Sequence, residues 1–171
     1  MGILHLVVMG VAGCGKSAVG TRVAARLGLP FIEGDAFHPP ASVAKMQAGQ
    51  PLTDADRHGW LAQLAGELAA RPGGAVLSCS ALKRAYREQL RAAVPALRFA
   101  YLALTPETAL ARVQGRGAHF FPAGLVASQF DTLEPPDSEP GVLTLDGSAP
   151  LDALVERIAA ALAPQAAAAG G

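Results

Sequence analysis

Three observations predict an α/β fold built on a five-stranded parallel sheet. Short apolar runs alternate with helical patterns along the whole chain. The runs are nearly continuous in apolar residues, as strands buried on both faces of a parallel sheet must be. The glycine-rich stretch Gly10-Val-Ala-Gly-Cys-Gly-Lys-Ser17 falls between the first such run and the first helical pattern. The 171 residues suit one domain, expected over 1–163, and are enough for a full hydrophobic core.

The elements follow in order. Residues 3–9 are the first apolar run and read as a buried strand. After Ser17, the apolar Val19, Val23, Ala24 and Leu27 fit one helical face, and Gly28 suits its C-terminal stop. Residues 30–33 form a short second strand ending at Gly34-Asp35. Pro39-Pro40 leads into a short helix over 41–49. Thr53 reads as an N-cap, with Asp54 and Asp56 placed to complement the helix dipole. The helix it opens carries Trp60, Leu61, Leu64 and Leu68 at core spacing. Residues 75–79 are the third strand, after a Pro-Gly-Gly turn, and 82–94 are a basic helix. Residues 97–104 are the fourth strand. Pro106 suits the first turn of a helix reaching about Gly115, and Pro122 opens another through Phe130. Residues 142–145 are the fifth strand, and 150–162 are the last amphipathic helix. The Ala/Gly-rich tail, 164–171, is expected to be disordered.

Composition narrows the function. Hydrophobic residues make up 51% and charged residues 16%, with 14 basic against 14 acidic side chains. A net charge of zero gives no electrostatic footprint for nucleic acid or an anionic membrane. No apolar stretch is long enough to span a bilayer, and the N-terminal run lacks the basic region of a signal peptide. The two cysteines are Cys14 and Cys79. A disulfide at Cys14 would block the glycine-rich loop, so a reducing, cytoplasmic compartment is expected. The four histidines show no metal-site spacing.

The loop matches G-x-x-x-x-G-K-[ST], the P-loop. Its glycines let backbone N–H groups turn inward around phosphate oxygens. Lys16 can reach the β- and γ-phosphates, the Ser17 hydroxyl can ligand Mg²⁺, and the following helix aims its N-terminus at the same phosphates. Nucleoside triphosphate binding follows, but not yet a reaction. Asp56-Arg57-His58-Gly59 matches the D-x-x-G of switch GTPases, yet no buried strand precedes it and the chain has no N-K-x-D.

A small-molecule kinase needs a group to orient or deprotonate the acceptor hydroxyl, a substrate pocket, and a cover against water. Asp35, at the C-terminal end of the second strand, stands where open α/β sheets bind ligands. An Asp in Gly-Asp-Ala also serves as a turn or cap residue, so the residues alone leave both readings. Arg112 and Arg116, four apart and leading into Gly-rich chain, fit a lid whose guanidinium groups close over phosphates. They equally fit a helix end whose arginines complement the dipole. Lys83 and Arg87 share one helical face after the third strand and offer positive charge for an anionic substrate, or simply a solvated face, to which Arg84 belongs.

The motifs together are specific. The P-loop, Gly34-Asp35-Ala36-Phe37-His38-Pro39, Lys45-Met46, Gly49 to Arg57, Trp60-Leu61, Cys79 to Lys83 with Tyr86-Arg87, His119-Phe120-Phe121 and Gln129 to Glu134 resemble the gluconokinase family. This is the small, thermoresistant type, related to shikimate kinase, and the resemblance covers roughly 4–160. It implies a three-layer P-loop kinase of the nucleoside-monophosphate-kinase type, with a mobile lid over about 112–124. It implies ATP-dependent phosphorylation of D-gluconate at its terminal hydroxyl, and commonly a homodimer. Gly10, Ala12, Gly13, Cys14, Gly15, Lys16, Ser17 and Ala18 would hold ATP, with Ser17 on its Mg²⁺. Asp35 would meet the acceptor hydroxyl. His38 and Arg57 would lie in the sugar-acid pocket, with Lys83 and Arg87 adding charge there. Arg112 and Arg116 would be the lid arginines, and the 146–150 loop, including Pro150, would lie beside adenine. His119 would either contact substrate from the lid or pack the closed lid with Phe120 and Phe121. Where the family's lid often carries Arg-Lys-Gly, this chain has Arg116-Gly117-Ala118, one cation fewer. The rival readings are another small-acid kinase, such as a shikimate kinase, and a nucleotide-binding module without catalysis. Against the first, no Gly-Gly-Gly follows the third strand.

Overall fold

Side-chain alternation along the strands sets the architecture. In β1 (His5–Met9), Val7 and Met9 face one helical layer while Leu6 and Val8 face the other. β4 (Arg98–Ala103) repeats this, with Phe99 and Tyr101 set against Ala100 and Leu102. The computed structural model describes residues 3–115, 122 and 124–162. β2 (Phe31–Glu33), β3 (Ala75–Ser78) and β5 (Val142–Asp146) complete a sheet of order β2-β3-β1-β4-β5, every pair parallel. This is the expected three-layer arrangement, with β1 central and the P-loop leaving its C-terminal end.

On one face, α1 (Lys16–Leu27) and α7 (Leu151–Leu162) bury Val19, Val23, Leu154 and Ile158. Exposed ion pairs, Arg22–Asp152 and Arg26–Glu156, join the two helices. On the other face, α3 (Asp54–Ala69) and α4 (Arg84–Ala93) bury Trp60, Leu61, Leu64, Leu68 and Leu90. Each fully buried leucine there contributes about 1.5–3 kcal/mol. α2 (Pro40–Gln47), α5 (Pro106–Gly115) and α6 (Gly124–Thr132) border the cavity described below.

Thr53 caps α3 in a complete capping box. Its Oγ1 accepts from the Asp56 N–H at 3.1 Å, and Asp56 Oδ2 accepts from the Thr53 N–H at 2.8 Å. The hydrogen bond from Lys45, then those from Thr53, lower the Asp56 pKa to about 2. Most element ends fall within one or two residues of expectation, and at two places the structure departs in an instructive way. β2 ends at Glu33, and Gly34-Asp35 already belongs to a 3₁₀ turn, Gly34–Phe37. α4 begins at Arg84, not 82, because Ala81 adopts φ 48°. The Ala81 and Leu82 carbonyls accept from the Arg87 guanidinium and the Glu134 N–H, each at 2.7 Å, instead of from a helix. Residues 116–121 and 123 of the expected lid, including Arg116 and His119, lie outside the described residues, as does the tail at 164–171. Among the described residues, no helix is long and apolar enough to cross a membrane.

Gly34 is where fold and site meet. A Cβ there would lie 2.1 Å from the Ser78 carbonyl oxygen, so β2 and β3 approach closely only because the side chain is absent. Gly34→Ala is expected to destabilise the protein by about 1–3 kcal/mol in a denaturant titration. Gly66→Ala, in α3 with open space beside it, is the control and should stabilise by about 0.5–1 kcal/mol. A Gly34→Ala protein as stable as the wild type would refute the close-approach argument.

Candidate active site

The P-loop closes on α1 under tight constraint. Gly10 has φ +149°, and a Cβ there would meet Cys14 Sγ at 2.7 Å and the Leu102 carbonyl at 2.9 Å. Cys14 is buried beneath the loop, and its N–H donates to the Val11 carbonyl at 3.2 Å. Gly10 and Cys14 therefore shape the loop from within. Ala12, Gly13, Gly15, Lys16, Ser17 and Ala18 instead line a cavity of about 520 Å³. The N-cap of α1 is Gly15, which offers no side-chain acceptor. The first N–H groups of the helix thus remain for an anion, which the helix dipole also favours.

Lys16 is half-buried on this wall. Burial alone would lower its pKa, but Cys14, Asp35, Cys79 and Glu33 together outweigh burial and leave the pKa raised. The ammonium is charged at neutral pH. Burial also pushes the Cys79 thiol up to about 12, so at neutral pH it is a thiol rather than a thiolate. The Ser17 hydroxyl lines the cavity as well. Among the described residues no group of three or more His, Cys, Asp or Glu side chains could hold a metal ion. The Ser17 hydroxyl is an oxygen donor, the ligand type that magnesium takes.

Across the cavity stand the residues of the 3₁₀ turn and its exit. Trp60 Nε1, from α3, donates to the Gly34 carbonyl at 2.8 Å, fixing the turn. The His38 ring stacks on Trp60 at 4.1 Å between centroids, 17° from parallel. His38 Nε2 lies 3.7 Å from Asp35 Oδ1, and its Nδ1 is buried without a hydrogen-bond partner among the described residues. Burial works to raise the Asp35 pKa, but His38 and the charge of Lys16 outweigh it, leaving the pKa below 3.8. Asp35 is thus a carboxylate facing the same space as a charged lysine.

Arg57 enters the wall from α3, only 9% exposed. Its Nη1 donates to the Tyr86 hydroxyl at 3.1 Å, and its guanidinium lies 5.5 Å from the Tyr86 ring centroid. Tyr86 in turn donates to Asp54, which also accepts from Lys83 Nζ at 2.9 Å. The hydrogen bonds from Tyr86 and Lys83 lower the Asp54 pKa. This network holds Arg57 in place at the cavity.

Two expected substrate residues are not brought to the cavity. Lys83 is engaged by Asp54 and lies off the wall. Arg87 is fully buried elsewhere. Its Nε and Nη2 donate to the Glu139 carboxylate at 2.8 and 2.6 Å, its Nη1 to the Ala81 carbonyl at 2.7 Å, and its Nη2 to the Glu134 carbonyl at 2.8 Å. The bond from Arg87 is also what chiefly lowers the Glu139 pKa. Lys83 is the extended N-cap of α4 rather than a helical residue, and the Arg87 side chain is consumed in tying the loop after α6 onto α4.

Arg112 closes the opposite end of the P-loop. From the last turn of α5, Nη1 donates to the Gly13 carbonyl at 3.1 Å and Nη2 to the Gly147 carbonyl at 3.0 Å. It therefore links the phosphate loop to the 146–150 loop. Asp146 Oδ1 orders that loop by accepting from the Ser148 N–H at 2.9 Å and hydroxyl at 2.6 Å. A second cavity of about 440 Å³ lies beside it, lined by residues including Leu104, Thr105, Thr108 and Ser148. Pro150 is not on its wall; its carbonyl accepts from the Leu154 N–H at 3.1 Å at the start of α7.

Sequence reasoning did not assign Glu33, Trp60, Ser80, Ser128 or Gln129 to the site, and all five line the wall. Trp60 was legible only as core. Glu33 accepts from the Ser78 hydroxyl at 2.6 Å across β2 and β3, a contact that no sequence spacing announces. Gln129 stands in a recognised motif, but its partner, the Ala12 N–H, is 117 positions away.

Known proteins resemble this chain in both sequence and fold. A family profile described as an AAA domain matches residues 6–136. A gluconokinase of Gluconobacter oxydans is 48% identical over 90% of this chain and 88% of its own length. The thermoresistant gluconokinase of Escherichia coli is 40% identical, covering 87% of each. The crystal structure of a gluconokinase from Sinorhizobium meliloti 1021 superposes with a TM-score of 0.87 at 45% identity, over 94% of this chain and 91% of that one. A sugar kinase from Janibacter superposes with a TM-score of 0.88 at 42% identity, over 93% and 94%. Identity of this size, spread over nearly the whole of both partners in sequence and in space, means that the chain belongs to the gluconokinase family.

Proposed function

We propose that this protein transfers the γ-phosphoryl group of ATP to the terminal hydroxyl of D-gluconate, giving 6-phospho-D-gluconate and ADP. One observation carries the reading: the ionised Asp35 and the half-tethered Arg57 share a single cavity with Lys16 and the N-terminus of α1. Phosphate donors on one wall thus face a proton acceptor and a carboxylate clamp on the other.

In this mechanism the loop N–H groups and Lys16 hold the β- and γ-phosphates. Asp35 accepts the hydroxyl proton as the substrate oxygen bonds to the γ-phosphorus and the bond to the ADP oxygen breaks. Catalysis comes mainly from positioning and charge neutralisation. Mg²⁺, arriving with ATP and held by the Ser17 hydroxyl, would supply further neutralising charge. Arg57 holds the gluconate carboxylate through its forked donors, with His38 beside it. Arg112 would act by holding the phosphate loop through the Gly13 carbonyl, and Arg116 and His119 of the lid would act on the phosphates. The family resemblance also supports a single kinase domain over 1–163 and a cytoplasmic homodimer.

The test is coupled ADP release with MgATP against gluconate, related aldonic acids, shikimate and buffer alone. Strong gluconate-dependent turnover supports the reading, and turnover on a different acid replaces the substrate. ATP binding with no turnover on any acid would reduce the protein to a nucleotide-binding module. Arg57→Ala should raise KM for gluconate by about 10–100-fold and leave KM for ATP nearly unchanged. Equal effects on the two constants would remove the carboxylate clamp.

A further inference from the structure

Among the described residues, one side-chain hydrogen bond joins α6 to the phosphate loop: Gln129 Oε1 accepts from the Ala12 N–H at 2.6 Å. Only an oxygen can accept there, so chemistry fixes the orientation of the carboxamide. Its Nε2 then carries two N–H donors with no partner among the described residues, on a residue that lines the cavity with Lys16 and Asp35. The bond takes one loop donor out of the phosphate cradle and returns a neutral pair of donors to the same wall.

The C-terminal end of α6 is fixed independently. The Glu134 N–H donates to the Leu82 carbonyl at 2.7 Å, and Glu134 Oε1 accepts from the Arg84 N–H at 2.9 Å. Phe130 and Leu133 pack against the core. α6 is therefore held without Gln129, and the short bond at Ala12 is not needed to keep the helix in place. The wall already carries two carboxylates, Glu33 and Asp35, so a neutral acceptor at 129 avoids adding a third beside the phosphates.

We infer that Gln129 is a positioning residue for phosphoryl transfer: its Oε1 sets the P-loop at Ala12, and its Nε2 donors receive the terminal phosphate of ATP. The inference rests on the kinase reading above for the identity of the nucleotide. It makes the protein distinguish ATP from ADP at a side chain outside the P-loop, on the helix that follows the lid segment.

The discriminating variant is Q129E, in the full chain. It keeps an acceptor for the Ala12 N–H but exchanges the donors for a negative charge. Calorimetric titration with MgATP and MgADP, beside kcat and KM with gluconate, gives the readout. ADP affinity should stay within about twofold, ATP affinity should fall at least about tenfold, and kcat should drop. Q129M, which removes acceptor and donors together, should lower kcat with a smaller change in the ATP-to-ADP affinity ratio. An unchanged ratio in Q129E overturns the proposal, as does equal loss of melting temperature and kcat in both variants, which would mark a purely structural tether. Should Q129E fail to fold, the ratio in Q129M decides: a fall supports the role and no change ends it. The binding arm needs no sugar acid. If the wild type binds ATP but does not turn over gluconate, the substrate assignment fails while the Gln129 test still reads out.

Discussion

Lys16→Ala is expected to lower kcat by about 10²–10³-fold while the protein remains folded. Lys16 is the cation on the P-loop side of the cavity, and its raised pKa keeps it charged throughout the neutral range. The raised value also fixes the sign of its contribution to stability. The folded state favours the cation, so the contribution is present below pH 10.5 and is lost as pH rises through the folded pKa. At pH 7 alanine therefore costs a modest part of the melting temperature. The larger stability effect should appear with ligand: the rise in melting temperature produced by MgATP should shrink in the variant. Turnover near the wild-type rate would refute the assignment, because no second lysine or arginine of the described cavity wall lies on the P-loop side.

Asp35→Asn should lower kcat by about 10²–10⁴-fold, with KM for ATP little changed. Asparagine keeps the shape and one acceptor oxygen but cannot take the hydroxyl proton. The pH profile adds a second readout. Against the effect of burial, His38 and then Lys16 hold the Asp35 pKa below 3.8, so the carboxylate is in its working form through the whole neutral and mildly acidic range. The acid limb of kcat/KM due to Asp35 should accordingly fall below the ordinary carboxylate range. If the asparagine variant turns over at the wild-type rate, Asp35 is a turn residue and the proton goes elsewhere.

Gly34-Asp35 at the end of an apolar run placed the carboxylate at the correct sheet edge, because the ends of parallel strands are where loops and ligands gather. The 3₁₀ turn itself was not legible. It depends on Trp60 reaching from α3 to the Gly34 carbonyl and on a missing Cβ against Ser78. Those are contacts between segments far apart in the chain, and local residue preference does not encode them. The opposite outcome holds for Arg87. Its spacing from Lys83 suggested one shared helical face, but Lys83 is the N-cap of α4, and spacing cannot tell which face another loop will cover. Glu139 and the carbonyls of Ala81 and Glu134 decided that.

The sequence by itself determined the nucleotide loop, the order of strands and helices, and the family. Each is written in local pattern: glycine and lysine positions, apolar periodicity, capping residues and contiguous motifs. Only the tertiary structure decided which cations face the cavity. It tied Arg57 to Tyr86 at the wall, buried Arg87 against Glu139, turned Arg112 onto Gly13 and Gly147, and brought Gln129 to Ala12. The physical reason is the same in each case. A long polar side chain goes where its hydrogen-bond partners are fixed, and those partners come from elements that meet only when the sheet is assembled.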